Sequence, residues 1–548
     1  MVVAENQQRI FYLRRESDSE YVYANWLSEA QPDANSGDNV QIADFSDFAE
    51  PGRYFIDVPE VGRGYAFNIG PETFRRPFYL AMRAFYGQRC GTTVDLGPEF
   101  PGYRYAACHT TGAYHSSSGK EGPRDSAYGW HDAGDYGRYI VNSGISTGTL
   151  LMAHEMFGPR LAGTSLNIPE SGNGTPDILN EIRWNLEWML TMQDSEDGGV
   201  WQKQASLNFP GFVMPEKDTT VSQVVGTASV PFKSSCASAD FAAVMAMAQR
   251  IYLPFDTAFS QKAGQAAARA WDWLELNPNV TFNNPPGVKT GEYGDSNCAD
   301  ERLWASAELW RTTGSDTYHN HFLANYTRFA SSAGTPAWPN LAPMALWTYA
   351  LANRENTDPT ARDLIGARVS AVANQLVDRI AANPYRIAMT NNDFNWGSNS
   401  QAANYSMLLL VANALAPDQR FTNASLENLH YLLGRNTFSI SWVTSVGTEW
   451  FKKPHHRPSA ADSNKDPWPG MLAGGPNKNR NDNILLNLPA NLAPMKVWAD
   501  NQDSYAGNEI AINWNAPLVF ILAGALPDPP KPEPPAPAEP PTVPDDGR

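Results

Sequence analysis

The nine-residue run Tyr128-Gly-Trp-His-Asp-Ala-Gly-Asp-Tyr136 holds two carboxylates three positions apart, with a glycine between them. At this spacing Asp132 and Asp135 can share one water, one removing its proton while the other orients it. A helix cap beside a loop carboxylate, or half of a calcium loop, would use the same residues. A second acidic group lies near the other end, in Trp498-Ala-Asp500-Asn-Gln-Asp503-Ser-Tyr505-Ala-Gly-Asn-Glu509. Glu509 stands at the head of the apolar run NEIAINWNAPLVFILAGAL, read as a long helix that it opens. A helix N-terminus favours the charged carboxylate. Glu509 can therefore donate a proton only where burial and neighbouring carboxylates outweigh the dipole; otherwise it stabilises the helix end. Between the two groups comes Pro454-His455-His456-Arg457-Pro458-Ser459, whose prolines fix the loop. Its imidazole and guanidinium suit a hydroxyl-rich ligand, or they form a basic surface turn.

Metal-binding residue types also occur. Cys90, Cys108, His109 and His131 supply two thiols and two imidazoles, a set that makes a neutral tetrahedral zinc site. Their spacing is not that of a zinc finger, and on spacing alone a Cys90–Cys108 disulfide or plain buried thiols fit better. Cys236 and Cys298 lie in no motif and are read as free thiols or loop residues. Ser171-Gly-Asn-Gly-Thr-Pro-Asp177-Ile-Leu-Asn-Glu181 offers carboxylate oxygens of the hard type calcium prefers; an N-capped helix start is the competing reading.

These residues need a scaffold, and the chain is long enough to build one. Its 548 residues are 42% hydrophobic and 18% charged, a globular composition with room for more than one domain. The net charge of −17 argues against a nucleic-acid partner, and no apolar stretch of about 18 residues suggests a membrane span. Aromatic residues are abundant, with 17 Trp, 22 Tyr and 24 Phe, some as core filler and some as candidate stacking platforms. Residues 1–70 alternate with period two in runs such as NVQIADF and RYFIDV, which predicts a small β-sandwich, short of a full immunoglobulin-like set by a strand or more. Beyond Gly70 the period changes: Phe74, Phe78, Met82 and Phe85 fall on one helical face. From about 137 to 524, ten to twelve helical patterns recur, many apolar on more than one face, as expected of helices packed in two concentric layers; the pattern alone does not separate a closed α-toroid from an irregular bundle. From Pro527 the chain carries 10 Pro in 22 residues, a polyproline-like tail or linker that cannot pack a core. The N-terminal residues show no apolar run followed by a small-residue cleavage site, so no signal peptide is expected in this chain.

Taken together and in order, the motifs resemble the catalytic domain of glycoside hydrolase family 9, the cellulases, in the subgroup carrying an N-terminal immunoglobulin-like domain. The resemblance spans about residues 40–525. It rests on the D-A-G-D tetrapeptide at Asp132 to Asp135 and on His455-x-Arg457 preceded by Ser441-x-Val443-Thr444-x-x-Gly447. The third element is Trp498, Asp500, Tyr505, Glu509, Ala511, Asn515 and Ala516. It implies a mostly α protein: an (α/α)6 toroid over 71–526 behind a β-sandwich over 1–70. It also implies an inverting mechanism, with Asp135 as the base that activates water, Asp132 as its partner on that water, and Glu509 as the acid. His455 and Arg457 match sugar-binding positions, and Asp500 matches a second active-site carboxylate. The matched subgroup carries a structural zinc, which turns the reading of Cys90, Cys108, His109 and His131 toward that metal. Calcium is also known in the family, with Asp177 and Glu181 the candidates here. The implied substrate is a β-1,4-linked glucan, with Trp130, Trp338, Trp396 and Tyr505 as candidate platforms and endo cleavage as the expected mode. The alternatives are an exo-acting cellodextrinase, cellobiohydrolase or glucosaminidase on the same scaffold, and a non-catalytic glycan-binding protein. A secreted monomer is expected, without nucleic-acid or membrane partners.

Overall fold

The computed structural model of the chain describes residues 2–3 and 9–530; the Pro-rich segment from 531 onward lies outside them. The N-terminal part forms two small antiparallel sheets. One joins β1 (Val2–Val3), β5 (Asn39–Ile42) and β4 (Gln31–Pro32). The other joins β3 (Tyr21–Trp26), β2 (Ile10–Arg15), β6 (Gly52–Val58) and β7 (Gly62–Arg63), with β8 (Phe67–Ile69) also on β6. Alternation sends Phe11, Leu13, Tyr54, Ile56 and Val58 inward as one core. The sandwich is thus fuller than its periodicity suggested, because strands of two or three residues leave no periodic trace.

Among the described residues, twelve helices of at least nine residues follow. They are α1 (Arg75–Gly87), α2 (Ile140–Leu161), α3 (Asp177–Thr191), α4 (Ser235–Tyr252), α5 (Thr257–Leu276) and α6 (Ala299–Thr313), then α7 (Asp316–Asn325), α8 (Ala342–Ala350), α9 (Pro359–Ala382), α10 (Ser398–Leu415), α11 (Gln419–Leu432) and α12 (Ile512–Ala525). The even-numbered helices form the inner layer: α2 packs on α4, α4 on α6, α6 on α8, α10 on α12, and α12 back on α2. Their composition explains the placing. α4 is buried on all sides through its alanines and methionines, as a helix apolar all round must be. By contrast α9 buries one stripe, Ala361, Ile365, Val369, Ala373, Leu376 and Ile380, and shows solvent its charged face. The connections between α1 and α4 carry two further sheets. β9 (Val94–Asp95) pairs with β10 (Arg104–Tyr105). β11 (Thr111–Tyr114), β12 (Pro123–Asp125), β13 (Arg138–Tyr139), β14 (Lys203–Ala205) and β15 (Ser222–Val225) form a sheet in the order β12-β11-β15-β14-β13.

One expectation is overturned here. Cys236 and Cys298 are not free; they form a disulfide. Their separation of 62 residues gives no sequence signal. The packing of α4 on α6 brings the first turn of one against the N-cap of the other.

The sandwich is anchored to the toroid through the hairpin β4–β5. Asp38 accepts from Lys496 Nζ at 2.5 Å, Thr437 Oγ1 at 2.9 Å and Tyr385 Oη at 3.1 Å. Asn35 Nδ2 donates to the Met389 carbonyl at 3.0 Å, and Val40 belongs to the toroid's core. Burial opposes the charge of Asp38, but Lys496 and the two hydroxyls win and lower its pKa. Asp38→Ala leaves those donors without their shared acceptor and is expected to cost about 1–3 kcal/mol, measured as a lower Tm. An unchanged melt would show that the sandwich is an independent appendage.

Candidate active site

The turn at Asp132 to Asp135 is stitched on every side by backbone hydrogen bonds. The Asp132 amide donates to Gly137 O at 2.9 Å and the Ile512 amide to Asp132 O at 2.9 Å; the Arg457 amide donates to Gly134 O at 3.1 Å. Position 134 must be glycine: an added Cβ would lie 1.9 Å from the carbonyl oxygen of His455. The turn therefore touches both the 455–457 loop and the 509–512 segment. The same network holds Glu509, whose carbonyl accepts from Gly474, while the His455 amide donates to Asn508 O, each at 2.8 Å. Asp135 and Glu509, 374 positions apart in the chain, thus meet at one site.

Glu509 does not open a helix. It follows the short turn Tyr505–Asn508 in extended conformation, and α12 begins only at Ile512. The expected conflict with a helix dipole does not arise. Burial, followed by the negative charges of Asp135 and Asp132, raises the Glu509 carboxyl well above its ordinary value, against the pull of Arg457 and the Gly134 amide. This is the electrostatic signature of a proton donor.

Asp132 and Asp135 are both buried. Burial first, and the charge of Asp135 second, push Asp132 up to about 7. Its oxygens accept from Asn142 Nδ2 and Tyr293 Oη, each at 2.6 Å. Asp135 Oδ2 accepts from the Gly137 amide and from Tyr139 Oη, each at 3.1 Å. Burial holds both tyrosine hydroxyls protonated, so they act as donors. The sequence reading named none of Asn142, Tyr139 and Tyr293. Tyr139 lies four residues past Asp135 and could have been suspected. Tyr293 is 161 residues from Asp132 and left no local signal.

The remaining candidates divide. His455 is half-buried, with Nδ1 on the Gln502 carbonyl at 2.7 Å and the rings of Phe212 and Tyr505 flanking it at 5.2 and 6.1 Å. Burial lowers its pKa, which favours neutral imidazole. Trp396 and Tyr505 are 47% and 40% exposed with ring centroids 5.5 Å apart, an open aromatic pair. Trp338 is half-buried, edge-on to Tyr293 at 5.2 Å. Trp130 is no platform: it is fully buried, with Nε1 on Glu181 at 2.9 Å. Arg457 is buried and braces the turn, its Nη1 on Gly134 O at 2.7 Å and its Nε on Pro210 O at 2.9 Å. Asp500 accepts from the amides of Lys452 and Lys453 at 2.6 and 2.8 Å and from Asn508 Nδ2 at 3.0 Å. These bonds make it an anchor for the 452–455 loop.

The calcium candidates have partners within the protein. Glu181 is fully buried against the Arg89 guanidinium at 3.0 Å, which neutralises its charge. Asp177 is taken up by the Leu166 amide at 2.7 Å and the Ser171 hydroxyl at 2.5 Å. Cys90, Cys108, His109 and His131 do converge, with one ligand atom from each lying within 4.8 Å of all the others. Cys90 Sγ lies 3.9 Å from His109 Nδ1, and Cys108 Sγ lies 3.7 Å from His131 Nε2. His109 Nε2 meets Asp218 Oδ2 at 3.0 Å, the carboxylate–imidazole contact that orients a metal-binding histidine. The four residues could hold a metal ion.

A helical toroid whose loops bring a proton-holding glutamic acid onto a buried aspartate pair defines a glycoside hydrolase. The glycosyl hydrolase family 9 model matches residues 74–522, and the cellulase N-terminal ig-like domain model matches residues 1–63. The chain belongs to glycosyl hydrolase family 9. It is 37% identical over 517 residues to Endoglucanase D of Acetivibrio thermocellus, covering 94% of this chain and 79% of that one. It is 34% identical over 503 residues to the xyloglucan-specific endo-beta-1,4-glucanase BoGH9A of Bacteroides ovatus, covering 88% and 83%. Among solved structures, the GH family 9 endoglucanase J30 and its Zn-binding triple mutant each align with a TM-score of 0.89 at 32% identity, over 96% of this chain and 98% of theirs.

Proposed function

We infer that this protein is an inverting endo-β-1,4-glucanase. The observation that carries the reading is the raised carboxyl of Glu509, set against a buried aspartate pair through shared backbone contacts. Glu509 protonates the leaving glycosidic oxygen. Asp135 takes the proton of a water that attacks the opposite face of the sugar, and Asp132 holds the same water. Inversion requires acid and base about 6.5–9.5 Å apart so that the water fits. His455 serves as a sugar-hydroxyl partner, and the Trp396–Tyr505 pair as a stacking platform. The endoglucanase relatives support internal cleavage of a β-1,4-glucan.

Cys90, Cys108, His109 and His131 suit zinc: two soft thiols, two imidazoles and no carboxylate among the ligands. Bound there, zinc would cross-link the chain directly before Asp132 with no open position for chemistry, a bracing role. The Cys236–Cys298 disulfide fits an oxidising, extracellular setting. Among the described residues no helix is long and apolar enough to cross a membrane.

The test uses carboxymethylcellulose. Viscosity is expected to fall far ahead of reducing-end release, and the first product seen by NMR is expected to be α-configured. A β-configured first product would overturn inversion, and viscosity falling only in step with reducing ends would favour an exo-acting enzyme.

A further inference from the structure

Lys203 is a fully buried lysine on β14 that the catalytic scheme does not use. Its strand pairs with β13 so that Lys203 lies opposite Tyr139. From there Nζ reaches Asn284 Oδ1 at 2.7 Å, Gly291 O at 2.7 Å, Thr290 O at 3.2 Å and Thr290 Oγ1 at 3.3 Å. Three donor hydrogens thus meet oxygens of three residues on one loop, the arrangement that satisfies an ammonium. Asn284 closes the loop further, its Nδ2 on Thr290 O at 2.8 Å and its amide on Glu292 Oε2 at 2.9 Å.

What this loop carries gives the contact its meaning. Two residues past Gly291 stands Tyr293, held at φ +45°, with its hydroxyl on Asp132 and its ring 4.9 Å from that of Tyr139. Tyr139 in turn donates to Asp135. The Lys203 ammonium lies 5.6 Å from the Tyr139 ring centroid.

We propose that Lys203 is a positioning residue for catalysis: by clamping Asn284, Thr290 and Gly291 beside Tyr139, it sets the hydroxyl of Tyr293 on Asp132. The assignment rests on Asp132 and Asp135 being the water-activating pair. Burial lowers the lysine pKa to about 7 against the attraction of Asp135 and Glu292, and the loop oxygens favour the charged form. The groups facing it are Asp135 of the turn, Tyr139 of β13, His115 just past β11, and Asn284, Thr290 and Glu292 of the clamped loop.

A double-mutant cycle tests this. Lys203→Met and Tyr293→Phe are each expected to lower kcat about 10–100-fold with KM within about threefold, because the lost contact serves the reaction more than ground-state binding. Tyr293's hydrogen bond lowers the pKa of Asp132, so its loss moves the acid limb of the kcat/KM profile to higher pH in both variants. The double variant is expected to match the worse single variant in rate and in limb position, as residues acting through one contact do. Multiplicative losses, or an acid-limb shift in the double equal to the sum of the singles, would overturn the proposal and leave Lys203 acting through its charge alone. A wild-type profile in Lys203→Met would overturn it outright. If that variant does not fold, Asn284→Ala takes its place in the cycle with the same outcomes. Asp135→Asn serves as the control: retained turnover there would sink the catalytic pair itself, independently of Lys203.

Discussion

Glu509→Gln is expected to lose about 10²–10⁴-fold in kcat on cellulosic substrate, while a β-cellobioside bearing a dinitrophenolate leaving group remains a far better substrate. A sugar alkoxide is a poor leaving group and needs its proton supplied; dinitrophenolate does not. Asp135→Asn is expected to lose activity on both substrates, because the attacking water lacks its base in either case. The two variants therefore separate the acid from the base. The pH profile separates them again. The wild-type rate should fall on the acid side as Asp132 takes up a proton, and on the alkaline side as Glu509 loses its own. In Glu509→Gln the alkaline limb should vanish from the residual activity. In Asp135→Asn the second cause of the raised Asp132 pKa is gone, so Asp132 should titrate below about 7, readable by carboxyl 13C NMR. Glu509→Gln with wild-type turnover on cellulose would end the assignment.

Cys108→Ser is expected to abolish zinc retention, from about one ion per chain to none by elemental analysis, and to lower Tm. A metal held at a thousandfold its Kd contributes about 4 kcal/mol to the folded state. The loss should reach activity too, since His131 directly precedes Asp132 and its backbone amide donates to Gln88 O at 2.7 Å. With one ligand gone, that segment is held by hydrogen bonds alone. Asp218→Asn should be milder, weakening metal affinity about 10–100-fold by loosening His109. Equal zinc content in wild type and Cys108→Ser would remove the metal from this site and leave Cys90 and Cys108 as buried thiols.

The legibility of the molecule was uneven. Helices announced themselves wherever a one-sided apolar stripe ran for three turns, as in α9, or where alanine and methionine filled every face, as in α4. Asp132, Asp135 and Glu509 stand out as candidates because each lies in a short contiguous motif. The readings that failed did so where a side chain's partner lay far along the chain. Trp130 is fully buried with its Nε1 on Glu181, so it is no stacking platform. The disulfide joins two helix starts that only the packing of α4 on α6 makes neighbours.

Hydrophobic periods were enough to specify a many-helix domain behind a β-sandwich, and the contiguous motifs carried the resemblance that implied a toroid and its candidate carboxylates, since periodicity and contiguous motifs are local properties of a chain. Whether a carboxyl keeps or sheds its proton, which ring faces solvent, and which cation is left over for a ligand depended on burial and on partners hundreds of positions away. Desolvation and Coulomb interactions act through space, so only the folded arrangement could assign them.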